Sequence, residues 1–454
     1  MLFNPIYLLF NTGVTVTDCS DIPEGYKVTE LGVLPEDWNI GRLDQVGGLI
    51  RGVSYKETDL NEKYQSGFLP VLRAMNIQTG SLDLLNDLVF VRREKISEKQ
   101  ILKRGDIVIA MSSGSKSVVG KAAQLNIYWD GSFGAFCACF RPQSNTINKE
   151  FIGFLFQTNV YREYIEKSAG GTNIKNLTIP HIINYPIPLP PLPEQHAIAH
   201  VLRIVQEAKE KTNAVIAATK ALKAAMMKHL FTYGPVPPEE AERVALKETE
   251  IGQVPEGWDL QPLGNISKIA SGGTPSRNEP TYWNGEIPWI RTGEINYSII
   301  DMTEEKITKA GLENSSARIV PKGTLLMAMY GEGVTRGRVG ITGIDASINQ
   351  AVAAIFPSEK MLTQFLYYYL EFSYEKNRLL GHGAHQRNLS ATIIKTILVP
   401  IPTKETQHHI VEILSFIDQK LAAEQSRKEA LNTLFTTLLH DLMTAKIRIN
   451  AIIV

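Results

Sequence analysis

Histidines and glycine-rich loops are the residues of this 454-residue chain whose types and spacing could support catalysis. The loop Gly114–Ala122 is one residue too long for a P-loop, and it has alanine where a magnesium-binding hydroxyl is required. The loop Gly331–Gly337 lacks the dinucleotide-binding spacing. His382 and His385 could bind a metal, but they have no evident third ligand, which favours a surface or hydrogen-bonding role. The sequence therefore shows no catalytic set and no metal site.

Composition limits the class of protein further. The formal net charge is zero, which argues against binding nucleic acid mainly through bulk positive charge and leaves local basic loops open. Cys19, Cys137 and Cys139 make neither a disulfide framework nor a metal site, so we expect a reducing, cytoplasmic setting. Cys137 and Cys139 alternate with apolar residues and are predicted to share one face of a buried strand. No apolar run approaches the ~20 residues of a membrane span.

Both ends of the chain are apolar. The N-terminal tail, residues 1–22, starts with the apolar run Met1–Phe10 but lacks a basic leading region and a convincing cleavage site. We therefore expect a tail that packs on the body, with a signal peptide as the alternative. The C-terminal tail, residues 446–454, is expected to dock as a short strand.

Two long segments must position whatever the rest of the chain presents. Residues 191–232 begin after a proline cluster and end before Gly234 and further prolines, and residues 403–445 have the same design. Apolar residues alternate spacings of four and three in both segments, which predicts helices with a heptad seam. Each helix would be roughly 60 Å long. We expect the two helices to pair with each other; the alternative is that each packs only on its own domain.

The seam of this helix pair can be assigned residue by residue. In the first helix it is predicted to comprise Val201, Val205, Ala208, Thr212, Val215, Thr219, Leu222 and Met226. In the second helix it is predicted to comprise Ile410, Leu414, Ile417, Leu421, Leu431, Phe435, Leu438 and Leu442, with Glu424 and Lys428 at the two remaining positions. The polar positions could fix the register of the pair at a cost in stability.

An internal repeat organises the whole chain. Leu31–Trp38 returns as Ile251–Trp258, and the same relation continues through the globular segments into the two helices. The chain is thus two copies of a globular domain followed by a long helix. The predicted segments are a tail at 1–22, a domain at 23–190, a helix at 191–232, a loop at 233–250, a domain at 251–402, a helix at 403–445 and a tail at 446–454.

Each globular domain has mixed local signals and is predicted to be α+β. The apolar runs Asp106–Met111 and Thr324–Met329 follow a glycine turn and predict buried strands. Lys149–Lys167 and Lys360–Leu379 carry spaced aromatic and aliphatic residues and predict helices. The fold class is therefore two similar α/β domains separated by two long helices that form an antiparallel coiled coil.

With these features the chain closely resembles the DNA-specificity subunit of type I restriction-modification systems, from about Ile22 to Thr444. The markers are the paired openings at Leu31 and Ile251, and the proline-rich helix entries Pro190–Gln195 and Pro400–Gln407. The resemblance implies that each domain is a target-recognition domain that reads one half of a bipartite DNA site. It also implies that the helices set the spacer between the half-sites and dock modification subunits.

The same resemblance implies partners and cofactors. Expected partners are double-stranded DNA, two modification (methyltransferase) subunits that methylate one adenine per half-site, and restriction/translocase subunits. S-adenosylmethionine, ATP and Mg²⁺ are expected on those subunits, with no cofactor in this chain. Two alternatives stay open: a stand-alone DNA methyltransferase, for which the sequence shows no cofactor loop, and an inert coiled-coil scaffold.

Candidate DNA-contacting residues follow from the chemistry of base recognition, because arginine and lysine pair with guanine while asparagine and glutamine pair with adenine. In the first domain they are Arg51, Tyr55, Arg73, Asn76, Ser112, Ser113, Ser115, Lys116, Asn173 and Lys175. In the second they are Arg277, Arg291, Glu294, Asn296, Tyr330, Arg336, Arg338, His385, Gln386 and Arg387. Arg73 and Arg291 occupy matching positions, which favours a structural or phosphate-binding role for both.

Overall fold

Two compact units divide the chain. The computed structural model describes residues 22–115, 117–143, 145–168, 176–331, 334–380 and 388–449. The first unit comprises the residues up to Thr212 together with those from Arg427 onward, and the second unit comprises Asn213–Ser426. Both boundaries fall inside the long helices, so each unit contains one globular domain and half of each helix. The segment bounds drawn from the sequence remain predictions.

The globular domain of the first unit is built from short strands in two main sheets. Its strands are Tyr26–Thr29, Gly32–Pro35, Asn39–Arg42, Gly47–Arg51, Leu60–Asn61, Phe68–Leu72, Ile77–Gln78, Ser81–Leu82, Val89–Arg92, Ile107–Ala110, Ala122–Gln124, Ser132–Phe133, Cys137–Pro142 and Pro186–Leu189. Its helices are Leu43–Val46, Lys149–Leu155, Asn159–Ser168 and Ile179–Ile183, with 3₁₀ turns at Glu57–Asp59, Ala74–Asn76, Arg93–Lys95 and Glu98–Gln100.

The second unit repeats this arrangement. Its strands are Leu246–Thr249, Gly252–Pro255, Asp259–Pro262, Ile269–Ser271, Trp283–Ile290, Ile299–Ile300, Glu305–Ile307, Ile319–Val320, Leu325–Ala328, Val339–Thr342, Ala346–Ile348, Val352–Ile355 and Leu398–Ile401. Its helices are Lys309–Glu313, Thr363–Phe372, Tyr374–Arg378 and Ala391–Lys395, with 3₁₀ turns at Pro238–Arg243, Leu263–Asn265, Pro280–Tyr282 and Thr292–Glu294.

Strand order confirms the repeat at the level of the fold. In the first unit the four-stranded antiparallel sheet has the order Ala122–Gln124, Ile107–Ala110, Cys137–Pro142 and Gly47–Arg51. The second unit has the same order in Val339–Thr342, Leu325–Ala328, Val352–Ile355 and Ile269–Ser271, extended by Ile299–Ile300 at one edge. A second sheet in each unit contains one parallel strand pair. The predicted pair of α+β domains is therefore present.

Buried central strands form where the sequence predicts them. Ile107–Ala110 and Leu325–Ala328 are buried throughout and follow turns in which Gly105 and Gly323 have positive φ, a conformation that favours glycine. Burying such aliphatic runs on both faces is the main favourable contribution of these sheets. Cys137 and Cys139 lie in the neighbouring strand and contribute to one apolar cluster, which confirms their shared face.

The predicted single helices at 149–167 and 360–379 are each broken in two, a correction with a local cause. In the first unit the Thr158 hydroxyl donates to the Leu155 carbonyl and accepts from the Tyr161 N–H, which ends one helix and begins the next. In the second unit the buried Ser373 hydroxyl donates to the Tyr369 carbonyl at the break between Phe372 and Tyr374. Hydrophobic spacing alone does not reveal such hydroxyl contacts.

The segment 233–250, predicted as a loop, is partly structured. It contains the 3₁₀ turn Pro238–Arg243 and the strand Leu246–Thr249, which pairs antiparallel with Gly252–Pro255. The tight turn between these strands uses the Thr249 hydroxyl, which donates to the Gly252 carbonyl at 2.6 Å. The first unit has the same hairpin at Tyr26–Pro35, so this strand belongs to the second domain.

Two long helices complete the units. The first long helix runs Leu192–Tyr233 over 42 residues, and the second long helix runs Lys404–Met443 over 40 residues. In the first unit, buried Ile198, Leu202 and Val205 share a core with Phe435, Leu439 and Leu442. In the second unit, buried Met227, Leu230 and Phe231 share a core with Ile410, Leu414 and Ile417. In both units the early half of one helix meets the late half of the other, so the helices pair antiparallel.

Burial along the first long helix shows that part of its predicted seam is wrong. Val205 and Thr212 are buried and Met226 is partly buried, but Val215 and Leu222 are 39% and 52% exposed. The seam contains a second set of inward-facing residues, and each of these lies one position after the residue that was predicted. Leu202 therefore takes the place of Val201, and Lys223 takes the place of Leu222. A hydropathy pattern selects Leu222 for the seam because leucine is far more apolar than lysine. A lysine can nevertheless occupy a seam when carboxylates neutralise its charge.

In the second long helix the predicted seam agrees better with burial. Ile410, Leu414, Ile417, Glu424, Phe435 and Leu442 are buried, and Leu421, Leu431 and Leu438 are partly buried. Lys428 is exposed. Glu424 accepts a hydrogen bond from Lys420 at 2.7 Å, so the polar seam residue has a cationic partner.

Each long helix is anchored to its domain by a buried glutamine. Gln195 accepts from the Asn148 N–H and donates to the carbonyls of Thr146 and Pro190. Gln407 accepts from the Leu362 N–H and donates to the corresponding carbonyls of Lys360 and Pro402. These side chains satisfy backbone groups that the proline-rich entries would otherwise leave unpaired.

The tails can be compared with their predictions only in part. The N-terminal tail lies outside the described residues except for Ile22, and so does Cys19. Residues 446–449 form no strand; Arg448 instead makes ion pairs with Asp37 and Glu194, and Ile449 packs against the core of the first unit. In the part of the chain that the structure describes, no helix is long and apolar enough to cross a membrane.

Candidate nucleic-acid interface

Six of the candidate DNA-contacting residues lie outside the described residues. These are Lys116, Asn173, Lys175, His385, Gln386 and Arg387. The fourteen others lie on strand ends and connecting loops of the two domains. They fall into exposed groups that are free to contact a ligand and groups whose polar atoms are used inside the protein.

A close backbone approach fixes the segment that carries Arg51 and Tyr55. A Cβ on Gly52 would lie 2.0 Å from the Gly134 carbonyl oxygen, so only glycine fits where this strand passes against the second sheet. Arg51 is exposed at the strand end, and Tyr55 is half-buried. Burial raises the pKa of Tyr55, so its hydroxyl stays protonated and can donate a hydrogen bond.

Serine hydroxyls follow the buried strand Ile107–Ala110. Ser112 contacts Asn176 side chain to side chain at 2.5 Å, and the two residues also form an isolated backbone bridge. Ser113 accepts from the Ser115 N–H, and Ser115 lies 2.9 Å from the Ser117 hydroxyl. This loop therefore presents several short polar groups at the end of the central strand.

Arg73 and Asn76 have structural tasks. The Arg73 guanidinium donates twice to the Asp87 carbonyl, at 2.7 and 3.2 Å. Asn76 is only 2% exposed; its oxygen accepts from the Arg73 N–H and its nitrogen donates to the Asn86 carbonyl. The assignment of Asn76 to base reading is therefore corrected, because both of its polar atoms are used to form this turn.

The matching turn of the second unit has the same construction. Glu294 accepts from the backbone N–H groups of Arg291 and Glu304 at 2.7 and 2.9 Å. The Arg291 guanidinium contacts the carboxylates of Glu304 and Glu305. Glu294 is a turn-forming group like Asn76, and the assignment of both to base reading is corrected. Arg291 matches Arg73 in position and in holding its turn.

Arg277 is the most exposed arginine of the second domain with an aromatic support. Its guanidinium carbon lies 3.7 Å from the centroid of the Trp283 ring, and its Nη2 lies 2.7 Å from a carboxylate oxygen of Glu305. Stacking on tryptophan orients the planar group at little cost in entropy. An exposed ion pair is worth only about 0–1 kcal/mol, so this arginine can exchange its carboxylate for a phosphate or a base.

The loop after the buried strand Leu325–Ala328 carries the remaining candidates. Tyr330 is 41% exposed. Arg338 donates to the Asn296 side chain at 2.8 Å, which joins two predicted contacts into one group. The Nε of Arg336 is buried and has no hydrogen-bond partner among the described residues. A buried donor without a partner is costly, and a ligand oxygen would satisfy it.

Equivalent strands thus carry different side chains in the two domains. Serines follow Ile107–Ala110 in the first domain, and Tyr330 with two arginines follows Leu325–Ala328 in the second. The supporting sheets have the same strand order. No cluster of His, Cys, Asp or Glu suitable for a metal occurs within the described ranges. The arrangement suits recognition of two different polar surfaces.

Two sets of ion-paired residues were missed by the sequence reasoning. In the second unit Lys223 pairs with Glu371 and Asp418. In the first unit Arg448 pairs with Asp37 and Glu194, and Glu194 also accepts from the Trp38 indole at 3.0 Å. The partners are far apart in the sequence, so spacing along the chain gives no signal of them. In the sequence, only Lys223 near the predicted seam and Glu194 at the helix entry gave a local indication of these ion pairs.

Comparison with known proteins gives one consistent family. The family model described as the type I restriction modification DNA specificity domain matches residues 35–218 and 255–433. The EcoKI specificity subunit of Escherichia coli K12 is 29% identical over 423 residues, covering 89% of this chain and 86% of the relative. The StySPI specificity subunit of Salmonella potsdam is 41% identical over 183 residues, covering 40% of this chain and 39% of the relative.

A solved structure shares the fold. The type I restriction-modification S subunit from M. genitalium aligns with a TM-score of 0.57 at 18% sequence identity, covering 89% of this chain and 96% of that one. At this identity the likeness supports the fold alone. Together, the duplicated family match over most of the chain, the repeated domains and the antiparallel helices place this chain in the type I restriction modification DNA specificity family.

Proposed function

We propose that this chain is the DNA sequence-specificity subunit of a type I restriction-modification enzyme. The observation that carries the proposal is a repeated scaffold with different exposed polar loops, as expected of two readers with different targets. Each domain reads one half of a bipartite site, the first through the region of Arg51 and the serines after Ile107–Ala110. The second domain reads the other half through Arg277, Arg338 and the loop of Tyr330.

The long helices act as the spacer between the readers. Each unit contains half of both helices, and the boundaries between the units fall inside the helices. Residues inserted at those boundaries are expected to change the distance between the two half-sites that the domains read. The spacer length of the target is therefore a property of the helices, and the identity of each half-site is a property of one domain.

Catalysis resides in partner subunits. Two modification subunits bring S-adenosylmethionine and methylate one adenine per half-site, and restriction subunits bring ATP and Mg²⁺ for translocation and cleavage. A zero net charge suits this division, because partners that neutralise phosphates can supply much of the electrostatic part of DNA affinity.

The proposal is tested by assembling the chain with its modification subunits and measuring binding to DNA duplexes. Binding is expected to need both half-sites at one spacing, and the isolated chain is expected to transfer no methyl group. Methylation by the chain alone would support a stand-alone methyltransferase. If DNA binding did not depend on two separated half-sites, the specificity function would be rejected in favour of an inert coiled-coil scaffold.

A further inference from the structure

A partly buried charged set lies against the late half of the first long helix in the second unit. The Lys223 ammonium lies 2.8 Å from carboxylate oxygens of both Glu371 and Asp418, and the Tyr368 hydroxyl donates to Asp418 at 2.9 Å. The side chains of Lys223 and Glu371 are 12% and 18% exposed. Desolvation raises the pKa of Glu371 and the nearby Lys223 opposes that shift. We call these four residues the lysine set.

The first unit has neutral residues at every equivalent position. The anchoring glutamines and the carbonyls that they bind align the two units. In this alignment Phe435 replaces Lys223, Phe154 replaces Tyr368, and Gln157 and Gln206 replace the two carboxylates. The phenyl rings of Phe154 and Phe435 pack with their centroids 6.1 Å apart. The place of a partly buried ion pair is thus taken by an aromatic pair.

A second set is charged only in the first unit. Arg448, which follows the second long helix, donates to Asp37 at 2.8 and 3.0 Å and to Glu194 twice at 2.8 Å. At the equivalent positions the second unit has Val236, Gly257 and Thr406, all without charge. We call Arg448, Asp37 and Glu194 the arginine set. Each unit therefore has one charged contact that the other lacks.

These differences matter because the chain is a tandem repeat. The first long helix could pair antiparallel with the second long helix of its own chain or with the first long helix of a second copy. In the self-paired form Lys223 would lie against Gln157 and Gln206, and in the matching pair of second helices Phe435 would lie against two carboxylates. Removing one partner of a buried ion pair typically costs roughly a hundredfold or more in an equilibrium.

We propose that the lysine set, supported by the arginine set, selects the partner of each long helix and excludes pairing with the same helix of a second copy. The surface formed by Glu371 and Asp418 accepts a helix end that carries lysine, and the surface formed by Gln157 and Gln206 accepts one that carries phenylalanine. The residues that select the partner lie on the globular domains as well as on the long helices. Each domain therefore accepts the late half of only one of the two long helices.

The direct test exchanges the two helix ends in the full chain with the double variant Lys223→Phe and Phe435→Lys. All variants are made in an Arg448→Ala background, because the exchange does not move the arginine set, which would otherwise favour internal pairing. Internal pairing then has two mismatched contacts, whereas self-pairing between two copies has matched ones. Tethering gives internal pairing an effective concentration on the order of millimolar. Two mismatches of roughly a hundredfold each outweigh that advantage at tens of micromolar. Light scattering is expected to give 50.5 kDa for the unaltered chain and twice that mass for the variant.

A matched rescue variant separates charge matching from general damage. Adding Glu371→Gln, Asp418→Gln, Gln157→Glu and Gln206→Asp to the double variant moves the charges from the second unit to the first. Lys209→Leu is included as well, because the Lys209 ammonium lies 4.4 Å from the Phe435 ring and the equivalent residue of the second unit is Leu421. Internal pairing is then matched again, so the single-copy mass and the thermal stability are expected to return. Rescue supports the proposal whether the double variant dimerises or unfolds.

Two results would overturn it. One is a double variant that keeps the single-copy mass and the stability of the Arg448→Ala chain. The other is a rescue variant that behaves no better than the double variant. Neither readout involves DNA, so failure here and failure of the proposed specificity function are distinguishable.

Discussion

Single arginines on this protein already have partners that compete with DNA. Arg277 lies between the Trp283 ring and Glu305, and Arg338 donates to Asn296. Exposed contacts of this kind are weak, so they orient the guanidinium without preventing exchange for a base or phosphate. Arg73 differs, since its bonds to the Asp87 carbonyl hold a turn.

The substitution Arg51→Ala is expected to weaken binding through the first half-site only. A lost base contact costs about 1–3 kcal/mol, which corresponds to roughly 5- to 150-fold in affinity. The measurement is a titration of the assembled complex with duplexes in which one half-site at a time is altered. Lys116→Ala is expected to act on the same half-site.

The reciprocal control is Arg277→Ala in the second domain. Its loss is expected to fall on the other half-site, with the response to changes in the first half-site unchanged. If either substitution weakened both half-sites, or neither, its assignment to base contact would be rejected.

Asp37 predicts a pH dependence of stability in the first unit. The hydrogen bonds and charge of Arg448 hold the pKa of Asp37 below its ordinary value. A carboxyl with a lowered folded-state pKa stabilises the fold above its unfolded-state pKa, and this contribution disappears as pH falls through the folded-state pKa. The midpoint temperature of thermal unfolding is therefore expected to be lower for Asp37→Asn than for the unaltered chain at neutral pH. This difference is expected to disappear in acid. A constant difference at all pH values would contradict this assignment.

At the scale of elements, proline and glycine signals predicted the long helices well, and glycine turns before aliphatic runs predicted the central strands. Periodicity gave one row of the first seam and missed the other, because Lys223 is held there by residues nearly 150 and 200 positions away. The breaks at Thr158 and Ser373 depend on single hydroxyl contacts. Polar contacts between distant segments are not visible in local spacing.

The lengths of the two long helices are proposed to set the spacer between the half-sites. Inserting one heptad after Thr212 and one before Arg427, at the two unit boundaries in the sequence, lengthens both helices by about 10 Å and keeps the seam in phase. With a rise of about 3.4 Å per base pair, the preferred spacer is expected to grow by about three base pairs. Binding selections with randomised spacers measure this change. An insertion of four residues in one helix is the control and is expected to disrupt pairing; an unchanged spacer after the paired insertion would contradict the spacer role.

At the scale of the molecule, duplication provides two readers on one scaffold, and small differences keep their helices in order. The repeat was visible in the sequence, since ordered matches extend from Leu31 to Gln407. The DNA contacts of the arginines and serines, which were chosen by residue type, remain predictions. Asn76 and Glu294 also have the right chemistry for base reading but use it inside their turns, which residue type alone does not reveal.

Specification of a two-part DNA sequence is the function proposed for this chain. Methylome sequencing of a host that expresses the chain with its modification subunits tests it most directly. Methylated adenines are expected in one bipartite motif with a fixed spacer, and replacing the loops of one domain is expected to change one half of that motif. Methylation at a single continuous motif, or changes in both halves after replacing one domain's loops, would contradict it.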